Sequence, residues 1–152
     1  MSITPIEKVI YTAKAHTTGG RDGGTSHTSD GRLDVKLSIP GYPGTGTNPE
    51  QLFAVGWSAC FLSAIKIVAA RMKVRLPADV AIDTELDLGT TGGGYFLQVR
   101  LNVNLPGIDR IRWYHLLRKA VSVALIKNRP RRQQPWQKLP ELLVADCARC
   151  LR

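Results

Sequence analysis

A chain of 152 residues with a 43% hydrophobic fraction is long enough for one domain with a real core, and is ordinary for a soluble globular protein. The formal charge of +9 is unevenly placed: residues 1–105 carry 10 Lys/Arg against 9 Asp/Glu, whereas residues 106–152 carry 11 against 3. Three cysteines, an odd number, argue against a secreted disulfide framework and fit thiols in a reducing compartment.

The opening stretch MSITPIEKVIYTAKAH has no basic segment followed by an apolar core, which predicts no signal peptide. The longest uncharged apolar run, Leu52 to Ile65, is 14 residues, too short to span a bilayer. A soluble cytoplasmic protein with no membrane partner is therefore expected.

Taken in chain order, EKVIYTAKAHTT and RLDVKLSI read as two strands joined by the glycine-rich segment GGRDGGTSHTSDG, a β-hairpin with a long mobile tip. In the second strand Leu33, Val35, Leu37 and Ile39 alternate with Asp34, Lys36 and Ser38, the pattern of a half-buried strand. A helix follows. Asn48 or Thr47 can cap it, Pro49 suits its first position, Glu50 favours its positive first turn, and it should run to about Lys73. VAIDTELDL and YFLQVRLNV, joined by GTTGGG, predict a second hairpin. It places Val80, Ile82, Thr84, Leu86 and Leu88 on one face with Tyr95, Leu97, Val99, Leu101 and Val103. A second helix is expected from Asp109, its cap, to about Lys127, before Pro130. The order hairpin, helix, hairpin, helix argues an α+β fold, with one domain over residues 1–128 and a basic tail over 129–152.

Cys60 lies in the first helix. A free cysteine among apolar neighbours is usually a small core hydrophobe, and Cys60 is too far from the helix start for the dipole to help activate it. To act as a nucleophile it needs a cation from elsewhere in the chain. Arg21, flanked by glycines in GGRDGG, is the candidate, because the glycines let that loop approach another surface; a plain solvated turn is the alternative. Phe53, Trp57 and Phe61 are equally readable as core or as the walls of an apolar pocket.

Three stretches, TTGGRDGGTSHTSDGRLDVKLSIPG, GTGTNPEQLFAVGWSACFLSAIKIVA and LDLG…YFLQVRLNVNLPGI, resemble the Ohr group of the OsmC/Ohr family, over about residues 5 to 110. The resemblance implies an α+β homodimer with packed central helices and active sites at the subunit interface. It implies a thiol peroxidase for organic and fatty-acid hydroperoxides, active in oxidative-stress defence and recycled by a dihydrolipoyl protein or another dithiol. On that likeness Cys60 is the peroxidatic cysteine, Arg21 stabilises the thiolate and the leaving oxygen, and Glu50 holds the guanidinium in a fixed fork. Phe53, Trp57 and Phe61 then line a pocket for alkyl peroxides. No cofactor and no metal are expected. Glu50 and Cys60 are ten residues apart, about 15 Å along one helix. They share a site only if the helix is interrupted, if Arg21 bridges the gap, or if two subunits contribute.

The family pattern fails near Arg110. Lining up Ala120 with the alanine of the family's A-H-x-x-C-P-Y-S motif puts Val121 at the histidine and Ala124 at the resolving cysteine. A reading-frame change in the coding DNA and genuine divergence both account for this; the coincident jump in charge favours the first. Cys147 and Cys150, in DCARC, have CxxC spacing but no second ligand pair for a metal, and are not expected to resolve Cys60. Two alternatives follow: an Ohr-type fold without turnover, and a nucleic-acid-associated protein using its basic tail. A nucleic-acid partner is not expected if that tail is simply solvated.

Overall fold

The structure, a computed structural model, describes residues 6–123. They form three short strands, a long helix, two long strands and a second helix: β1 (Ala15–Thr18), β2 (Thr25–Thr28), β3 (Asp34–Lys36), α1 (Pro49–Arg71), β4 (Ala81–Thr91), β5 (Gly94–Asn104) and α2 (Arg110–Val123). The fold is α+β. The chain divides into two compact units, Met1–Phe53 and Ala54–Arg152. The basic tail, Ala124, Cys147 and Cys150 lie outside the described residues.

In the first unit the expected hairpin gains a strand. β2 lies inside the segment read as a mobile tip, and β1, β2 and β3 form an antiparallel sheet in that order. Its sequence, TSHT, has no apolar alternation, so it gives no period-2 signal; its threonines supply strand propensity instead. β3 is shorter than expected. Leu37 is buried and Val35 half-buried, but Leu33 and Ile39 are exposed. Val9, Ile10 and Tyr11 precede β1 and are exposed. The β2–β3 turn is closed by Asp30, which accepts from the Thr28 hydroxyl at 2.6 Å and from the Arg32 N–H at 3.2 Å. Those two bonds hold its carboxyl below the ordinary carboxylate range.

α1 starts as its caps dictate. Asn48 Oδ1 accepts from the Gln51 N–H at 2.8 Å, Pro49 occupies the first helical position, and Glu50 stands in the first turn. The helix is uninterrupted to Arg71, longer than the uncharged run because it continues through Lys66. Its end is a Schellman motif: the Lys73 N–H donates to Ala70 and the Val74 N–H donates to Ala69. Lys73, not a glycine, takes the left-handed conformation there, with φ 54°.

In the second unit β4 and β5 pair over their whole length, Ala81 with Asn104 through Thr91 with Gly94. The register places Ile82 opposite Val103, Thr84 opposite Leu101, Leu86 opposite Val99 and Leu88 opposite Leu97, as the alternation predicts. The loop is shorter than GTTGGG suggests. Gly92 and Gly93 alone make the turn, with φ 58° and 79°, the double positive φ of a type I′ turn.

The core of this unit is the stripe Phe61, Ala64, Ile65, Val68 and Ala69 of α1 against Leu105 and the α2 residues Leu116 and Ala120. The spacing i, i+3, i+4, i+7, i+8 puts the five α1 residues on one face. Asp109 caps α2 as expected, accepting from the Arg112 N–H at 3.0 Å. Ile65 and Leu116 are fully buried, each contributing about 1.5–3 kcal/mol of burial. The opposite stripe of α1 is exposed yet hardly more polar: Val55, Gly56, Ala59, Cys60, Ser63, Ile67 and Ala70. Among the described residues α1 is the one helix long and apolar enough, by length and composition, to cross a membrane. Its buried stripe packs in a protein core and Lys66 interrupts its exposed side, the features of a core helix that is apolar all round.

Candidate functional site

Two backbone devices bring Arg21 and Glu50 together. The first is the β1–β2 loop, Gly19–Gly24. The Gly24 N–H donates to the Gly20 carbonyl at 3.1 Å, while the Leu37 N–H donates to the Gly24 carbonyl at 2.7 Å. A Cβ at Gly24 would stand 2.0 Å from the Thr18 carbonyl oxygen and 2.4 Å from that of Gly20, so only glycine closes the loop this tightly. The second device is the entry to α1. Thr47 donates from its N–H to Lys36 at 2.9 Å and accepts from Ser38 at 2.8 Å, a parallel bridge that ties the chain before Asn48 to the end of β3. With Asn48 as cap, the next residue but one is Glu50.

Arg21 Nη2 donates to Glu50 Oε1 at 2.7 Å. The Arg21 side chain is 39% exposed and that of Glu50 only 11%. The contact runs to one carboxylate oxygen rather than as a two-pronged fork. Glu50 Oε2 is buried with no hydrogen-bond partner among the described residues. A buried carboxylate oxygen without a donor is costly, so this end of the pair has unused acceptor capacity.

Cys60 is a free thiol on the exposed stripe of α1, not the small core hydrophobe that its apolar neighbours suggest. The pocket candidates divide. Phe61 is buried in the core cluster, Trp57 packs against that cluster, and Phe53 is exposed. Because α1 is continuous, an interrupted helix no longer serves to bring Glu50 and Cys60 together.

Two constellations go unread in the sequence. Arg100 of β5 donates to Glu85 Oε2 at 2.6 Å and also to both carboxylate oxygens of Asp87 on the neighbouring strand. The hairpin register contains the signal, since Glu85 is directly opposite Arg100. His16 and His27 are direct cross-strand partners with ring centroids 5.4 Å apart. That pairing becomes legible only once TSHT is recognised as a strand. Among the described residues, no group of three or more His, Cys, Asp or Glu side chains is gathered to hold a metal.

Comparison with known proteins agrees with this architecture. The family model described as OsmC-like protein matches residues 42–132, continuing past Arg110, near which the resemblance was expected to fail. An organic hydroperoxide resistance protein of Xanthomonas axonopodis pv. citri is 46% identical over 129 residues, 82% of this chain and 90% of that protein. OhrA of Bacillus subtilis, also named an organic hydroperoxide resistance protein, is 35% identical over 119 residues, 75% of this chain and 84% of its own. Among solved structures, an organic hydroperoxide resistance protein of Legionella pneumophila superposes with TM-score 0.70 at 40% identity. It covers 77% of this chain and 87% of its own. OhrB of Bacillus subtilis superposes with TM-score 0.68 at 34% identity, covering 76% and 87%. With this fold, this match and these relatives, the chain belongs to the OsmC-like family, among the organic hydroperoxide resistance proteins.

Proposed function

We propose that this chain is a thiol-dependent peroxidase that reduces organic hydroperoxides in peroxide detoxification. The observation that carries the reading is the Arg21–Glu50 pair, a cation held at 2.7 Å by a carboxylate that is itself largely buried. In the reaction the Cys60 thiolate attacks the terminal peroxide oxygen. An S–O bond forms, the O–O bond breaks, and the alkoxide takes a proton and leaves as alcohol, with Cys60 as sulfenic acid. Arg21 stabilises the thiolate and the charge growing on the leaving oxygen, and Glu50 orients Arg21.

The exposed apolar stripe of α1 supports a homodimer. A helix apolar all round is stable in water when both faces are covered, and among the described residues only one is covered. In that dimer the Arg21–Glu50 pair of one protomer serves Cys60 of the other, which removes the difficulty of a continuous α1. Phe53 and Trp57 contribute pocket walls backed by Phe61, favouring alkyl over hydrogen peroxide. The setting is cytoplasmic, and the domain extends over residues 1–128 with 129–152 as an appendage.

Recycling is the weak point of the cycle. With Ala124 at the position of the family's second cysteine, the sulfenic acid has no internal thiol there and must be reduced by an external dithiol such as a dihydrolipoyl protein. One thiol of that reductant displaces water from the sulfenic acid, and its neighbour then closes to a disulfide, releasing the Cys60 thiol. The same alanine favours a second reading, a protein of this fold that reacts once and does not turn over.

Stopped-flow oxidation by cumene hydroperoxide, with and without dihydrolipoamide, separates these readings. Catalytic consumption that needs the dithiol and vanishes in Cys60→Ser supports the peroxidase. A single stoichiometric burst supports the second reading. Absence of any Cys60-dependent reaction rejects both.

A further inference from the structure

We infer that His16 and His27 form a two-imidazole site for a divalent late first-row transition metal on the outer face of the three-stranded sheet. The two residues are direct cross-strand partners in the β1–β2 ladder, so their side chains leave the same face of the sheet about 4.5–5.5 Å apart at Cβ. Their ring centroids are 5.4 Å apart and the ring planes are inclined at 50°. A metal bound at about 2.0–2.1 Å by one nitrogen of each imidazole, with a tetrahedral angle between them, sets the two centroids roughly 5 Å apart. The rings therefore need only rotamer adjustment, with no backbone movement, to take such an ion. Neither imidazole has a hydrogen-bond or ion-pair partner among the described residues.

The face itself is suited to an ion. His16, His27 and Asp34 are all exposed and occupy one row across β1, β2 and β3, since His27 is the direct partner of Asp34. The other face is the partly buried one, carrying Ser26, Thr28 and Val35. The carboxylate of Asp34 adds negative charge beside His27, although Lys36, in the next row on the same face, opposes it. Among the described residues no three ligands are gathered, so the site is open, with two imidazoles from these strands and water completing the shell. Imidazole selects nickel, copper and zinc over magnesium, and the affinity order rises from manganese to copper.

The position gives the site a structural consequence. β1 ends at Thr18, immediately before the loop that carries Arg21, and β2 begins at Thr25, immediately after it. An ion shared by His16 and His27 is a clamp across the base of that loop.

Isothermal titration of the full-length protein with nickel chloride, in a buffer that does not bind metal, tests the inference. Saturable equimolar uptake is expected, with a concentration-dependent rise in melting temperature, because an ion that binds only the folded state stabilises it. His16→Ala and His27→Ala should each weaken uptake roughly tenfold or more, since even outer-shell partners of metal ligands are worth about 10–100-fold. Both histidines are exposed, so both variants should keep the wild-type circular dichroism spectrum and remain interpretable. Titration of a full-length Cys60→Ser, Cys147→Ser, Cys150→Ser variant checks the thiols and should give unchanged nickel affinity. Wild-type affinity in either histidine variant, uptake lost with the cysteines, or magnesium uptake equal to that of nickel would overturn the assignment.

Discussion

Glu50 spends one carboxylate oxygen on Arg21 Nη2, at 2.7 Å, and keeps the other buried without a partner among the described residues. An arrangement built for stability alone would satisfy both oxygens. Glu50→Gln keeps the shape of the side chain and removes the charge that fixes the guanidinium. It should lower the rate constant for Cys60 oxidation by roughly tenfold, about 1.4 kcal/mol of transition-state stabilisation. Its urea midpoint should stay near wild type. A Glu50→Gln variant that loses stability but keeps its rate would show that the pair only holds the loop to the helix.

The loop that carries Arg21 depends on the missing side chain of Gly24. Alanine there sets a Cβ 2.0 Å from the Thr18 oxygen, and that neighbour is backbone, which has little room to give. Gly24→Ala should destabilise by on the order of 2 kcal/mol through overpacking, and should depress Cys60 oxidation as well. Gly20→Ala is the control. It has open space around its Cβ and pays only for φ +62°, about 1 kcal/mol. Equal loss in the two variants, measured by denaturant unfolding, would rule out the close approach as the cause.

How much of this was legible in the sequence varies with the physical signal each residue leaves. The β4–β5 hairpin was readable to the register, because Ile82, Thr84, Leu86 and Leu88 alternate against Val103, Leu101, Val99 and Leu97. α1 was readable from Asn48 and Pro49, whose chemistry belongs to helix starts. β2 was not, since Thr25, Ser26, His27 and Thr28 are held by backbone ladders that any residue can make. The exposure of Cys60 was hidden for a more instructive reason. Its immediate neighbours are apolar, but helical periodicity sorts Phe61, Ala64, Ile65 and Val68 into one stripe and Cys60 into the other. Composition around a residue says little about burial in a helix apolar on every side. Arg21 and Glu50 are 29 residues apart, and no local pattern predicts their meeting. Only the resemblance to a family joined them.

The end of α1 carries a correctable defect. Lys73 holds φ 54° at the position where a Schellman motif normally takes glycine. A non-glycine residue in this conformation costs about 1–2 kcal/mol, partly offset in the reverse change by the greater chain entropy of glycine. Lys73→Gly should therefore stabilise the fold by about 0.5–1 kcal/mol, raising the melting temperature by roughly 1–4 °C. Lys73→Ala should not, since it keeps the Cβ. Equal melting temperatures for the two variants, by calorimetry, would remove left-handed strain as the explanation.

Acid stability offers a separate test on the outer face of the β4–β5 hairpin. Hydrogen bonds from the Arg100 guanidinium hold the Asp87 carboxyl below its ordinary value of 3.8. A carboxylate whose pKa is lower folded than unfolded stabilises the fold fully above the unfolded value. That contribution fades as pH falls through 3.8 and then through the lower folded pKa. Asp87→Asn deletes it. The variant should be less stable than wild type at about pH 6, and the gap should narrow steadily as pH is lowered from about 5 toward 2. Arg100, whose pKa is driven further upward by Asp87 and Glu85, stays charged throughout this range and adds no slope of its own. Both groups are exposed, so screening should shrink the gap at high salt. Urea midpoints of the two proteins across that acid range decide it: parallel curves would mean that the Asp87–Arg100 bonds contribute nothing to the pH dependence of folding.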